Sequence, residues 1–308
     1  MNAKTLLQGT SMFQRLMLFM LLLALLIVLG CENTPSEVSD YNPEPVLTAF
    51  IENGIPVEEV IVERVGRFYN YYDATQQGIS DVRVTLYPVL DADGSPADTA
   101  GRVCYFEEDA TRDGHYIPTS PYIPQPFVRY RVTADHDGEK VHMSAETTVP
   151  DTLSIEVYQH GLPVDVEGDT MRITDSELYF RWSDSEACGG YQLGILALND
   201  REDLVPLDPE YDPTDEDEVE MYEKTPSYGY TIAPDYQNSI FLTWLYFTWA
   251  GPTRIDVTAC SKEYYEYVFT TLSLNENEYL PLTNVTGGIG IFGAVSQQTV
   301  TFVMEIVE

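Results

Sequence analysis

The chain has 308 residues and carries 50 aspartates and glutamates against 16 lysines and arginines, a formal net charge of −34. A surface of that sign repels nucleic acid and anionic bilayers, so nucleic acid is excluded as a partner. Apolar residues still make up 44 % of the chain and tyrosine occurs 22 times, so the acidity is not that of a chain too polar to fold.

The first thirty residues hold two bases, Lys4 and Arg15, and no acid. They run into Leu21–Cys31, read as LLLALLIVLGC. A charged start, an apolar middle and a small residue at the cut describe a secretory signal. With Gly30 followed directly by Cys31, this stretch resembles a bacterial lipoprotein signal, whose lipobox cysteine is cleaved free and acylated. On that reading residues 1–30 are a signal peptide, Cys31 is the lipidation site, and 31–45 (CENTPSEVSDYNPEP) are a polar, proline-bearing leash. A membrane-spanning helix is the competing reading, but the run falls short of the ~20 residues a span needs and no basic cluster follows it.

After the leash come short alternating runs: Val46–Glu52, Val57–Val65, Val82–Val89, Arg102–Phe106, His115–Pro118, Phe127–Ala134 and Val141–Val149. Val60 and Val62 share one face of their run, and Val82, Val84 and Leu86 share one of theirs. About seven strands in roughly 100 residues, with turn residues such as Asp137-Gly138 between them, predict a β-sandwich over 46–150. Pro150 marks a boundary. Beyond it, ELYFRWSDSEACGGYQLGILAL (177–198) resembles the early strands of fibronectin type III-like domains, with Trp182 filling the core and Tyr191, Leu193 and Ile195 facing it. Strands are also expected at Leu153–Tyr158, Thr170–Ile173, Tyr228–Ile232, Ile240–Phe247, Ile255–Cys260, Gly287–Ala294 and Gln298–Val307. Ser261 is placed to cap a short helix, Lys262–Thr270. The fold class expected is all-β: two consecutive sandwiches, Ig/transthyretin-like over 46–150 and fibronectin type III-like over 151–308. The second carries an acidic insertion at 208–224, expected to stay solvated and mobile.

Cysteines 104, 188 and 260 remain after Cys31. Export permits disulfides, and Cys188 with Cys260, in one expected domain, form the candidate pair. Gly288-Ile289-Gly290-Ile291-Phe292-Gly293 spells G-x-G-x-x-G, but AVSQQTVTFVMEIV after it is strand-like. A dinucleotide site needs a helix there. Asn284-Val285-Thr286 is a glycosylation sequon by letter, one that a bacterial lipoprotein leaves bare. Asp91, Asp93 and Asp98 hint at a calcium loop without the EF-hand register, and Asp215 and Asp217 in the acidic run are equally weak calcium candidates. His115, His136, His142 and His160 show no metal-ligand spacing. No nucleophile motif of the G-x-S-x-G or Ser-x-x-Lys kind occurs, so no catalytic residue is assigned and no cofactor is expected. Tyr69, Tyr71 and Tyr72, with the Trp244–Trp249 stretch, are candidate stacking aromatics for sugars or peptides.

Taken together, the lipobox, YNPEPVLTAFIENGIPVEEVIVERV, DVRVTLYP, GHYIPTSPYIPQPFVRYRVTADHDGEKVHMSAETTVP and the tail SKEYYEYVFTTLSLN with PLTNVTGGIGIFGAVS resemble the Bacteroidetes-type "domain of unknown function 4249" family of exported lipoproteins. The N-x-x-G-G-x-G-x-F-G-A pattern at Asn284–Ala294 is the most specific piece, and A-x-T-x-x-P at Ala145–Pro150 the second. The resemblance implies a cell-envelope protein at the outer membrane, periplasmic or surface-facing, acting as a non-enzymatic accessory to a TonB-dependent outer-membrane transporter. The alternatives are a structural or adhesion module with Ca²⁺ in its acidic loops and, ranked last, a secreted hydrolase.

Overall fold

The computed structural model describes residues 43–65, 77–89, 103–138, 140–159, 161–164, 170–173, 178–207, 211–232, 238–242, 247–272 and 282–306. Cys31, Tyr69, Tyr71, Tyr72, Asp91, Asp93, Asp98, His160 and Trp244 lie outside them. Residues 43–308 form one compact unit, and it is all-β apart from two short helices and a 3₁₀ turn among the described residues.

Seven strands build the first half: β1 (Pro45–Glu52), β2 (Val60–Arg64), β3 (Arg83–Val89), β4 (Cys104–Glu108), β5 (His115–Pro118), β6 (Arg129–His136) and β7 (Val141–Thr148). Alternation decides which side of each goes inward, because successive side chains leave a strand on opposite faces. Leu47, Ala49 and Ile51 of β1, Val60 and Val62 of β2, Val84 and Leu86 of β3, and Val141, Met143 and Ala145 of β7 all point into one core. Each fully buried aliphatic side chain contributes about 1.5–3 kcal/mol. Tyr116 is buried with them, and its hydroxyl donates to the Ile79 carbonyl (2.6 Å) while accepting from the Val82 amide (3.0 Å). Burial pushes that phenol up to about 12.

The second half is a sandwich of two sheets. One is β15 (Ser239–Leu242), β11 (Leu178–Trp182), β8 (Ile155–Gln159) and β9 (Leu162–Val164), in that order. Facing it are β14 (Tyr228–Ile232), β12 (Gly190–Ala197), β16 (Trp249–Cys260) and β17 (Ile289–Ile306). Short β10 (Thr170–Ile173) pairs with β17, and β13 (Val205–Pro206) with β16. Between the sheets lie Phe180, Trp182, Tyr191, Leu193, Ile255, Val257 and Phe302, with Ile195 packed against them. The Trp182 and Tyr191 rings meet edge to face at 5.4 Å, so the aromatic core expected of 177–198 is present.

Three expectations change. The strand placed at Ile240–Phe247 begins one residue earlier, at Ser239, and is described to Leu242, with 243–246 outside the described residues. The helix after Ser261 extends two residues further, as α2 (Lys262–Leu272), with the Ser261 hydroxyl accepting from the Tyr264 amide. The two strands expected at the C-terminus are one, β17, of 18 residues. No turn interrupts it because its partner changes midway without a gap: residues 289–295 pair in parallel with β1, and 295–304 pair antiparallel with β16. The sheet therefore runs unbroken from β14 through β17 to β7. Val149 belongs to the first core and Leu153 to the second, on either side of Pro150. The tail serves both, Val285, Phe292 and Ala294 in the first and Phe302 and Met304 in the second.

The glycine-rich tail closes the first core. Ser144 on β7 exchanges two backbone hydrogen bonds with Thr286 (2.8 and 3.0 Å). Two residues earlier the Asn284 side chain acts as a short piece of strand: its amide nitrogen donates to the carbonyls of Glu146 (2.9 Å) and Phe292 (2.8 Å), and its oxygen accepts from the Phe292 amide (2.9 Å). With both amide hydrogens engaged, the sequon asparagine is a structural residue. Gly287 and Gly290 sit at φ +83° and +119°, and a Cβ on either would lie 2.0 Å from a backbone oxygen, of His142 and Leu47 respectively. Within the G-x-G-x-x-G lettering Gly288 and Gly290 are crowded by the Pro45 and Leu47 carbonyls of β1 and Gly293 by the Tyr264 ring, so the glycines there, like Gly287 before them, admit close neighbours.

Candidate functional site: an aromatic cleft beside the acidic run

The run of acids expected as a mobile insertion is instead a capped helix, α1 (Glu216–Lys224). Asp215 caps it, its carboxylate accepting from the amides of Asp217 (3.0 Å) and Glu218 (3.4 Å). Ahead of the cap, Asp212 accepts from the Thr214 amide and hydroxyl (2.8 and 2.7 Å), which holds its carboxyl below the usual range. Glu216, Asp217 and Glu218 fill the first turn and Lys224 the last, the arrangement that suits a helix dipole. Arg201 closes the other end, donating to the carbonyls of Glu223 and Thr225. Like charges along the run are thus matched to helix termini, and the repulsion that predicted mobility is offset.

A row of rings pins this helix to the sandwich. Tyr211 meets Tyr222 edge to face at 5.2 Å, and Tyr222 meets Trp249 at 5.7 Å. Trp249 is buried at the start of β16, and its indole N–H donates to the Pro226 carbonyl (3.1 Å). The rings wall a cleft of about 270 Å³ together with Arg201, Glu202 and Glu223. On its other side Trp249 lines a second cavity of about 240 Å³, with Phe247, Tyr228 and Ser227. Aromatic walls with a few charged groups at the rim are the usual make-up of a small-ligand site. Of the expected stacking aromatics, Trp249 is in the cleft. Tyr211 and Tyr222 were missed, although Asp215-x-x-Glu218 between them is a helix-start signal.

The other candidates separate. Asp215 spends its carboxylate on the helix cap, and among the described residues no cluster of three or more His, Cys, Asp or Glu is placed to hold a metal. His142 faces Asp135 across the β6–β7 hairpin (3.2 Å), and His115 faces Glu59 (3.0 Å). Cys188 and Cys260 are neighbours, Gly189 N donating to the Cys260 carbonyl at 2.7 Å, but both are free thiols. The expected bridge is not formed in this structure. Cys188 Sγ donates to the Gly190 carbonyl (3.0 Å) and Cys260 Sγ to the Thr258 carbonyl (3.6 Å). Burial pushes all three described thiols up, Cys104 to about 11. A Cys31→Ser chain should titrate three thiols in denaturant without reductant, and react slowly when folded, because thiolate is the reactive form. A count of one thiol in denaturant would restore the bridge.

A further concavity of about 280 Å³ lies along β1 and β2, where exposed Phe50 and Ile55 flank Glu52. Burial raises the Glu52 carboxyl, and Asp256 and Glu58 add to it. A carboxyl raised in the fold opposes folding once ionised and does so less as pH falls through its raised range. Glu52→Gln should therefore stabilise the protein at pH 7, with the gain fading as pH falls into the carboxylate range. Thermal melting across that range checks it.

A family model described as "Domain of unknown function (DUF4249)" matches residues 32–301. No curated protein matches the chain.

Proposed function

The chain belongs to the DUF4249 family, and from that premise we propose that it is a lipid-anchored protein of the outer membrane, a non-catalytic binding component working beside a TonB-dependent transporter. The observation that carries the binding role is the Tyr211–Tyr222–Trp249 cleft, a concave aromatic surface set at the edge of a rigid sandwich. The lipobox reading supplies the location. Acylation at Cys31 leaves fourteen residues before β1 begins at Pro45, a reach of at most about 50 Å. A body held that close to the bilayer meets an integral partner at high effective concentration, so a modest cleft suffices for stable association.

Cross-linking of the tagged lipoprotein in native membranes, followed by identification of its partners, tests this. The reading expects a TonB-dependent receptor at near-stoichiometric yield, and a sharp loss of it with Trp249→Ala. Recovery of the protein in the aqueous fraction, or a receptor yield indifferent to the cleft, contradicts it. A calcium-dependent rise in melting temperature would favour the adhesion-module alternative instead.

A further inference from the structure

The four-stranded sheet turns Val157, Leu178, Phe180 and Leu242 into the second core, so the alternate residues face outward. Register places four of these in one line across all four strands: Phe241 opposite Tyr179, Tyr179 opposite Tyr158, and Tyr158 opposite Pro163. The Tyr158 and Tyr179 rings are 5.9 Å apart and the Tyr179 and Phe241 rings 4.6 Å apart, tilted by 47° and 37°. Phe241 is 57 % exposed. The next outward row along the strands is polar: Ser239, Arg181 and Glu156, again directly opposite one another. Tyr158 donates its hydroxyl to Glu156 (3.0 Å).

We propose that this row is a glycan-binding platform that takes a neutral polysaccharide chain laid across the strands. Cross-strand aromatic pairs stabilise a sheet by only about 0.2–1 kcal/mol, little reason to hold a phenylalanine this open. Size excludes the larger occupants. Three inter-strand spacings make a strip about 14 Å long and one ring wide, far below the roughly 800 Å² per partner that a specific protein interface or a second copy needs. A pyranose fits both rows at once: its C–H face stacks on a ring while its edge hydroxyls reach Arg181, Glu156 and Ser239. Charge narrows the class further. One guanidinium opposite one carboxylate leaves the platform locally balanced, and the chain's net charge of −34 repels polyanionic sugars.

Native gels cast with a mixed-linkage β-glucan, a mannan, a xylan or glycogen test the platform, independently of the Trp249 cleft. Retardation by at least one of these is expected. It should fall tenfold or more in apparent affinity in Tyr179→Ala/Phe241→Ala, and severalfold in Phe241→Ala alone, a change on an exposed edge strand that leaves the melting temperature within a few degrees. Migration unaffected by all four polymers overturns the proposal, as does retardation that survives the double substitution. Sedimentation showing that the row instead mediates self-association, abolished by Phe241→Ala, overturns it equally.

Discussion

Replacing Asn284 by alanine is expected to cost the fold about 3–5 kcal/mol, because it strands the Phe292 amide, the Phe292 carbonyl and the Glu146 carbonyl together. Each polar group left without a partner away from water costs about 1–3 kcal/mol. Asn284→Asp should be nearly as harmful. A carboxylate still accepts from the Phe292 amide, but it offers no hydrogen to the two carbonyls and sets negative charge against them. Gly290→Ala should match either, since its Cβ would overlap the Leu47 carbonyl. Asn284→Ala loosens β17 from β7 and Gly290→Ala loosens it from β1, so both act on the seating of one strand and combining the two should add less than the sum. Urea unfolding measures all of this. A cost under about 1 kcal/mol for Asn284→Ala would mean that the tail does not close the first core.

Trp249→Ala carries the second large effect, about 3–5 kcal/mol, as expected for emptying a buried aromatic site. Tyr222→Ala should cost less, about 1–2 kcal/mol, yet change the molecule more selectively. A nine-residue helix has little stability of its own. Without Tyr222 between Tyr211 and Trp249, α1 loses its seat while both sandwich cores remain packed. Limited proteolysis should therefore cut Tyr222→Ala within residues 208–224 long before the wild type, with melting of the main transition little changed. Equal resistance to cleavage would show that the caps at Asp215 and Arg201 suffice to hold the helix.

Strand alternation made most of the fold readable in advance. Val60 with Val62, Val84 with Leu86, and the Trp182–Tyr191 pair all bury as their spacing required. What escaped was what period-two patterns do not encode. Nothing in Gly287–Val307 distinguishes two strands from one, because the change of partner from β1 to β16 leaves the alternation unbroken. Charge counting misjudged 208–224, since repulsion depends on position along a helix as well as on sign, and the cap at Asp215 is followed by three acids in the first turn, the favourable end. The cleft was half visible through Trp249. Tyr158, Tyr179 and Phe241 were unreadable as a set, because three strands far apart in sequence bring them into line only through register. Cysteine content likewise found neighbours, Cys188 and Cys260, whose thiols donate to the nearby carbonyls of Gly190 and Thr258, contacts that spacing does not encode.

Attachment matters most, since a cleft held near a bilayer acts through proximity and the same cleft set free does not. Mass spectrometry of the N-terminal peptide from protein extracted out of native membranes tests it most directly. The peptide should begin at Cys31, with residues 1–30 gone and acyl chains on the thiol and the amino group. A peptide still carrying the leader, or one that begins at an unmodified Cys31, would contradict it.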